Sequence, residues 1–334
     1  MRKLVHRHGS TRSLRTAHAA LIALLFFTFS STGYPADSDS LYPGRLAIPK
    51  GKNLSPEERR VEEQFADYLE QHTEEAVARY EAKFGKEVDT DNARELSADY
   101  APGGPDAQDP ATIAARTKWS EAVQQPASAL RTEIYRRALR KVPAPDQRKQ
   151  VIFTAGGAGA GKTTSIQQIG GLARAVDAAE IIYDTTLSNP KSALDQIAQA
   201  LAAGRVVSII YVYRDPIDSF VGGVLPRAQE NGRTLPLDAF LNTHMGAAEV
   251  MEKIAEVYRG SDKVAIAVID NSRGLGKAAP ADIAFVKAAA SKYRRDELKA
   301  KLSAALEEAY EKGKKGEKGG ISEAVYKAIK RPAS

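Results

Sequence analysis

The stretch Val151-Ile152-Phe153-Thr154-Ala155-Gly156-Gly157-Ala158-Gly159-Ala160-Gly161-Lys162-Thr163-Thr164 decides the fold class. An apolar run leads into a glycine-rich turn that matches G-x-x-x-x-G-K-[ST], and a helix-like segment follows. Glycines are needed because such a loop wraps close to phosphate and points successive backbone N–H groups inward, which a Cβ would obstruct. The helix beginning near Gly161 adds its free amides and its dipole. The four fixed positions arise by chance in about one chain of this length in a hundred. Requiring a strand before and a helix after makes chance rarer still. A P-loop for a nucleoside triphosphate, ATP with Mg2+, is therefore expected, with residues 156–164 (Gly156, Gly157, Ala158, Gly159, Ala160, Gly161, Lys162, Thr163 and Thr164) forming the cradle. Lys162 is expected to reach the β- and γ-phosphates, and the Thr163 hydroxyl to bind magnesium.

Outward from the loop, strand-like and helix-like segments alternate. Strands are expected over about 149–155, 179–184, 206–213 and 263–270, with helices from the loop to about Val176 and over about 190–203. That alternation predicts an α/β fold, a P-loop kinase-like and mostly parallel sheet flanked by helices, with helical N- and C-terminal additions. Asp184 ends the strand Glu180-Ile181-Ile182-Tyr183-Asp184 and is the candidate carboxylate for organising magnesium, although strand-end acids also serve as plain turn formers. Arg214-Asp215-Pro216 and the pair Arg227 and Arg233 follow the third strand, on the side where doubly wound sheets bind ligands. The paired arginines can offset charge on a transferring phosphoryl group. His244 reads as a structural hydrogen bonder.

Upstream, a capping signal at Ser55-Pro56-Glu57-Glu58 opens an amphipathic helix expected to run to about Phe84, stopped by Gly85. Residues 101–110 read as a loop. A second helix, over about 111–141, carries the only tryptophan, Trp119, as a core residue. The resulting division is 1–33, 34–53 (linker), 54–148 (helical), 149–279 (P-loop core) and 280–334 (charged, helical). The chain has 334 residues, 43% of them hydrophobic and 27% charged, which excludes global disorder and a polytopic membrane protein. It has no cysteine, so disulfides, thiolate catalysis and cysteine-ligated metal sites are excluded. The net charge of +6 is concentrated near the two termini without interleaved aromatics, so no nucleic-acid partner is expected. The basic start and the apolar run Ala19–Phe29, followed by Ser30-Ser31-Thr32-Gly33, describe an export signal or a membrane anchor. An exported (periplasmic or secreted) or membrane-anchored protein is expected if that signal is genuine, and a cytoplasmic one otherwise. Membrane contact is expected only through this segment.

The loop 155–163, the stretch Tyr183-Asp184-Thr185-Thr186-Leu187 and the arginines Arg227 and Arg233 together resemble the zeta-toxin family over roughly residues 149–271. The resemblance implies a P-loop kinase that phosphorylates the sugar 3′-hydroxyl of UDP-N-acetylglucosamine. One departure stands out. The family usually places an I-D-x-D strand end, with a substrate-binding stretch, after the P-loop, whereas here only about twenty residues separate Lys162 from Asp184. A similar signature lies upstream, within residues 86–100: Lys86-Glu87-Val88-Asp89-Thr90-Asp91-Asn92-Ala93-Arg94. By correspondence Asp91 takes the role of general base, in a segment displaced in sequence and retained in space. The other reading of 88–100 is a polar surface loop. The implied catalytic set is thus Asp91, Lys162, Arg227 and Arg233, the implied metal ligands are Thr163 and Asp184, and the implied acceptor is a small-molecule alcohol, UDP-N-acetylglucosamine being one. A protein inhibitor or regulator is a further candidate partner. The competing class is a P-loop ATPase or nucleotide-dependent switch without small-molecule kinase activity, or a noncatalytic binding module.

Overall fold

The computed structural model describes residues 46, 48–274 and 276–332. The basic and apolar segment within 1–33, and most of the linker, lie outside them. No helix among the described residues is long and apolar enough to cross a membrane.

A six-stranded sheet forms the centre of the molecule. Its strands are β1 (Glu87–Val88), β2 (Arg148–Ala155), β3 (Ala179–Asp184), β4 (Val206–Tyr213), β5 (Val264–Asp270) and β6 (Ala279–Ala281). In space the order is β1-β3-β2-β4-β5-β6; β1 to β5 run parallel and β6 is antiparallel to β5. Parallel strands are buried on both faces, and β4, like β2 from Val151 onward, accordingly reads as a near-continuous apolar run. β3 and β4 lie on opposite sides of β2, so chain direction across the sheet reverses there, and the crevice beyond the carboxyl end of β2 is where such sheets bind ligands.

The helices are α1 (Pro56–Gln71), α2 (Thr73–Phe84), α3 (Thr90–Arg94), α4 (Pro110–Trp119), α5 (Gln124–Arg140), α6 (Lys162–Gln168), α7 (Gly170–Ala178), α8 (Pro190–Ala202), α9 (Pro216–Ser219), α10 (Leu225–Asn231), α11 (Leu237–Val257), α12 (Ile283–Ala290), α13 (Arg295–Lys314) and α14 (Glu323–Lys330). A π-helical turn, Phe220–Val224, joins α9 to α10. One sheet face (Val151, Phe153, Ile181, Tyr183, Val207, Ile209) shares a core with α1, α2, α5, α8 and α11. The other (Ile152, Ile210, Val212, Ile269) packs on Ile166 of α6 and Leu172 and Ala175 of α7. A third cluster seats α13 and α14 against the π-turn, α10 and α11.

Three expected helices are broken. The 55–84 stretch opens with the expected capping box at Ser55 and Glu58, but it divides at His72, whose non-helical backbone separates α1 from α2. The 111–141 stretch divides at 120–123, and the helix after the glycine loop divides at Ile169. Periodicity does not register the joint at His72, because the buried Leu69, Ala76 and Tyr80 keep helical spacing across it. The region from about Pro280 is expected to be helical with breaks at its glycines, yet it begins in β6, an edge strand short enough to admit Pro280. Trp119 is buried, as expected.

β1 is only two residues long and owes its place to tertiary ties. Its register sets Glu87 beside Ile182 and Val88 beside Tyr183. The Tyr80 hydroxyl accepts from Asp89 N–H at 2.9 Å and donates to the Glu87 carbonyl at 3.0 Å. The Lys86 ammonium donates to the Val176 and Ala179 carbonyls at the end of α7, at 3.0 and 3.2 Å. The upstream acidic segment therefore enters the sheet as its edge strand, beside β3.

Candidate functional site

Helix α6 begins at Lys162, with Gly161 in the left-handed region at its N-cap and no side chain capping it. Its first amides are thus left for a ligand. The carbonyls of the preceding loop are held from outside. Arg214 donates through Nη1 to Gly159 O at 3.3 Å, and Asn271 donates through Nδ2 to Ala160 O at 2.8 Å. Close approaches enforce glycine in this loop, as Gly159 and Gly157 show. Gly159 has φ +74°, and a Cβ there would overlap the Ser219 carbonyl. A Cβ on Gly157 would overlap the His244 imidazole. The cradle is thus of the kind a side chain would fill, and its donor set suits the phosphates of a nucleotide.

His244 is buried, and its Nε2 meets the Arg214 carbonyl at 2.9 Å. A carbonyl only accepts, so the proton is on Nε2. That leaves Nδ1 as an acceptor, buried without a partner and turned toward the glycine loop. Burial pushes this imidazole down to about 4, so it is neutral at ordinary pH. The structural hydrogen bond expected of His244 is present, and the ring also forms a wall of the loop, which sequence spacing did not indicate.

Lys162 Nζ stands 3.4 Å from Asp184 Oδ1, and the Thr154 hydroxyl donates to that same oxygen. β2 and β3 are in register here, with Thr154 beside Asp184, so the strand pairing itself brings the P-loop lysine to the strand-end acid. Thr163 and Thr164 occupy the first turn of α6 and are exposed. Among the described residues no cluster of three or more His, Cys, Asp or Glu is arranged to hold a metal ion. Thr163 and Asp184 are the groups available for magnesium, with the remaining ligands to come from phosphate and water.

On the other side of β3, the strand β1 delivers Asp89, Thr90 and Asp91 to the same rim. Asp91 Oδ2 is ion-paired with Arg227 Nη2 of α10, and Oδ1 lies 3.2 Å from Arg94 Nη1. Burial works to raise this carboxyl, but Arg227, Arg94 and Arg233 together hold it well below the usual carboxylate range. Arg233 points to Glu95, at 3.3 Å, and Glu95 in turn pairs with the fully buried Arg116 at 2.7 Å. Asp91 and Arg227 are therefore joined directly, whereas Arg233 reaches the same neighbourhood through Glu95.

Asp89 was not singled out from the sequence. Its carboxylate accepts from Asp91 N–H at 3.1 Å and caps α3. Burial, then the nearby charges of Asp91 and Asp184, push it up to about 7, with Lys162 offsetting part of the shift. The D-x-D spacing of residues 89–91 was the available signal. Only the pairing of β1 with β3 shows that the first acid belongs with Asp184 and Lys162.

The zeta toxin family model matches residues 173–275. The matched region runs from within α7 through β3, β4, Arg227 and Arg233 to just past β5, and it starts after the glycine loop. A crystal structure of the AvrRxo1-ORF1:-ORF2 complex is similar at a TM-score of 0.36 and 14% identity, over 80% of this chain and 97% of that one. No curated protein matches the chain.

Proposed function

We propose that the chain is an ATP-dependent phosphotransferase of the zeta-toxin type, which moves a γ-phosphoryl group to a hydroxyl of a small molecule. The zeta-toxin region supports phosphotransfer in general, and the family likeness suggests UDP-N-acetylglucosamine as acceptor. The observation that carries this reading is the insertion of β1 at the sheet edge. It supplies an acid pair opposite the P-loop lysine, with Arg227 reaching Asp91 across 136 residues of sequence.

ATP would be held by residues 156–164, and with magnesium at Thr163 and Asp184 it supplies the phosphoryl group. In this reading Lys162 offsets negative charge on the β- and γ-phosphate side. Asp91, kept ionised by its arginines, accepts a hydrogen bond from the acceptor hydroxyl and takes its proton as the new bond forms. Its low basicity is matched by position, since an alcohol loses its proton late in a loose transition state. Arg227 is then freed from Asp91 to offset charge on the transferring group, and Arg233 adds to the same field.

Incubation with γ-labelled ATP and a set of nucleotide sugars tests the proposal. Label is expected in a sugar product with the native chain, and none with Lys162→Ala. Asp91→Asn should lose at least a hundredfold in transfer rate while still binding an ATP analogue. Release of labelled phosphate alone, unaffected by Asp91→Asn, would instead establish the ATPase or switch.

A further inference from the structure

Between α5 and α8, beside the carboxyl end of β3, lies a cavity of about 310 Å3. Its lining includes Arg131, Tyr183, Asn189 and Gln196. Tyr183 immediately precedes Asp184, and Asn189 caps α8 on the loop that follows. The cavity thus adjoins the end of β3 that carries Asp184. The Arg131 guanidinium carbon sits 5.2 Å from the centroid of the Tyr183 ring, and its Nε is buried with no hydrogen-bond partner. Among the described residues no carboxylate lies within ion-pair distance of Arg131. The acid in the lining, Asp195, is engaged by Lys191 at 3.2 Å. Gln196 donates to the Tyr183 hydroxyl at 2.9 Å, which fixes the ring beneath the guanidinium.

A guanidinium braced on an aromatic face and lacking an acid is arranged to receive an oxyanion. Helix α5 connects Arg131 to the reacting groups. Gln124 of that helix accepts from Arg94, which holds Asp91. Arg131 is seven residues further along, so it lies on nearly the same helix face, about 10 Å away along the axis.

We infer that this cavity is a subsite for an oxyanion carried by the acceptor, so that the alcohol phosphorylated near Asp91 also bears a phosphate or carboxylate. Arg131 binds the oxyanion, with Asn189 in the lining beside it. This rests on the phosphotransferase reading, and its test separates the two.

Transfer from ATP is measured with sugar phosphates, nucleotide sugars, sugar acids and the uncharged sugars, for the native chain, Arg131→Ala and Arg131→Lys. The expected result is transfer to charged acceptors only. Arg131→Ala should raise the acceptor KM ten- to hundredfold with unaltered affinity for a non-hydrolysable ATP analogue, and Arg131→Lys should recover part of the loss. Phosphate-bearing acceptors preferred over sugar acids, or the reverse, identifies the oxyanion. Uncharged sugars used equally well, or a shared loss of acceptor and ATP-analogue affinity, would overturn the subsite. If the native chain transfers to no acceptor, the phosphotransferase reading fails by itself. The cavity is then read by calorimetric titration with pyrophosphate and with malonate, the P-loop being saturated with the ATP analogue. Binding lost in Arg131→Ala upholds an anion site, and binding equal to the native chain's removes it.

Discussion

His244 and Gly157 show how much of the phosphate cradle is settled by single atoms. The imidazole is held neutral by burial and oriented by the Arg214 carbonyl, and its edge occupies the space a Cβ at 157 would need. Gly157→Ala is therefore expected to abolish binding of an ATP analogue, and Gly157→Ala combined with His244→Ala to restore part of it. Fluorescence titration of the three variants checks this; no recovery in the double variant would refute the steric account. The same imidazole has a stability signature. Unfolded, it takes up a proton near its ordinary value of 6.5, and folded only near 4. The unfolded chain thus binds more protons between those values, so stability rises with pH across that window and is lost as pH falls through it. The difference corresponds to roughly 3 kcal/mol. His244→Gln should flatten that part of the curve, measured by urea unfolding at pH 4.5, 5.5 and 7.

At the scale of elements, α3 and the loop after it attach the acid pair to the arginines. The Glu95–Arg116 pair is almost fully buried, and Arg116 also donates to the Ala107 carbonyl at 2.6 Å. Breaking a buried pair leaves an uncompensated charge, so Arg116→Ala should destabilise the fold by about 3–5 kcal/mol, read from denaturant midpoints. Glu95→Gln is expected to cost less, and to free Arg233. If Arg233 acts on the transferring group, Glu95→Gln should alter the transfer rate while leaving ATP-analogue affinity alone. The π-turn Phe220–Val224 belongs to this scale as well. Gly223 packs against the Gly159 backbone, and the turn leads into α10, which bears Arg227. The loop and the arginine helix are thereby in contact through backbone.

Across the whole molecule, the two ends of the described chain meet. Arg331 pairs with Glu58 and donates to the Asn53 carbonyl at 3.3 Å, tying the entrance of α1 to the exit of α14. Burial raises the Glu58 carboxyl, but the bonds from Arg331 and Ser55 outweigh it and lower the carboxyl overall. This contribution is present at neutral pH and lost as pH falls below the ordinary carboxylate value of 4.5. Arg331→Ala is expected to cost about 1 kcal/mol at pH 7, given the partial exposure of the pair, and less at pH 3. Differential scanning calorimetry at both pH values is the check; an equal loss at both would assign the effect to packing. The clamp also bears on the site, because α1 packs on α2, which carries Tyr80 and its bonds to β1.

Much of the architecture was legible in residues 149–270, because hydrophobic period, glycine spacing and strand-end acids are local properties of the chain. The P-loop, its lysine, Asp184 and the arginines were readable for that reason. The helix joints at His72 and Ile169 and the edge strand β6 were not, since each depends on what the segment packs against. The acid pair is the sharpest case. Its D-x-D spacing was visible, but a two-residue strand has no periodicity of its own, and its position depends on Tyr80, Lys86 and the register with β3. Residue types along the chain determined which chemical groups were present. Parallel pairing across the sheet, with burial and charge neighbours that arise only on folding, decided that Asp89 and Asp91 share a rim with Lys162 and Asp184.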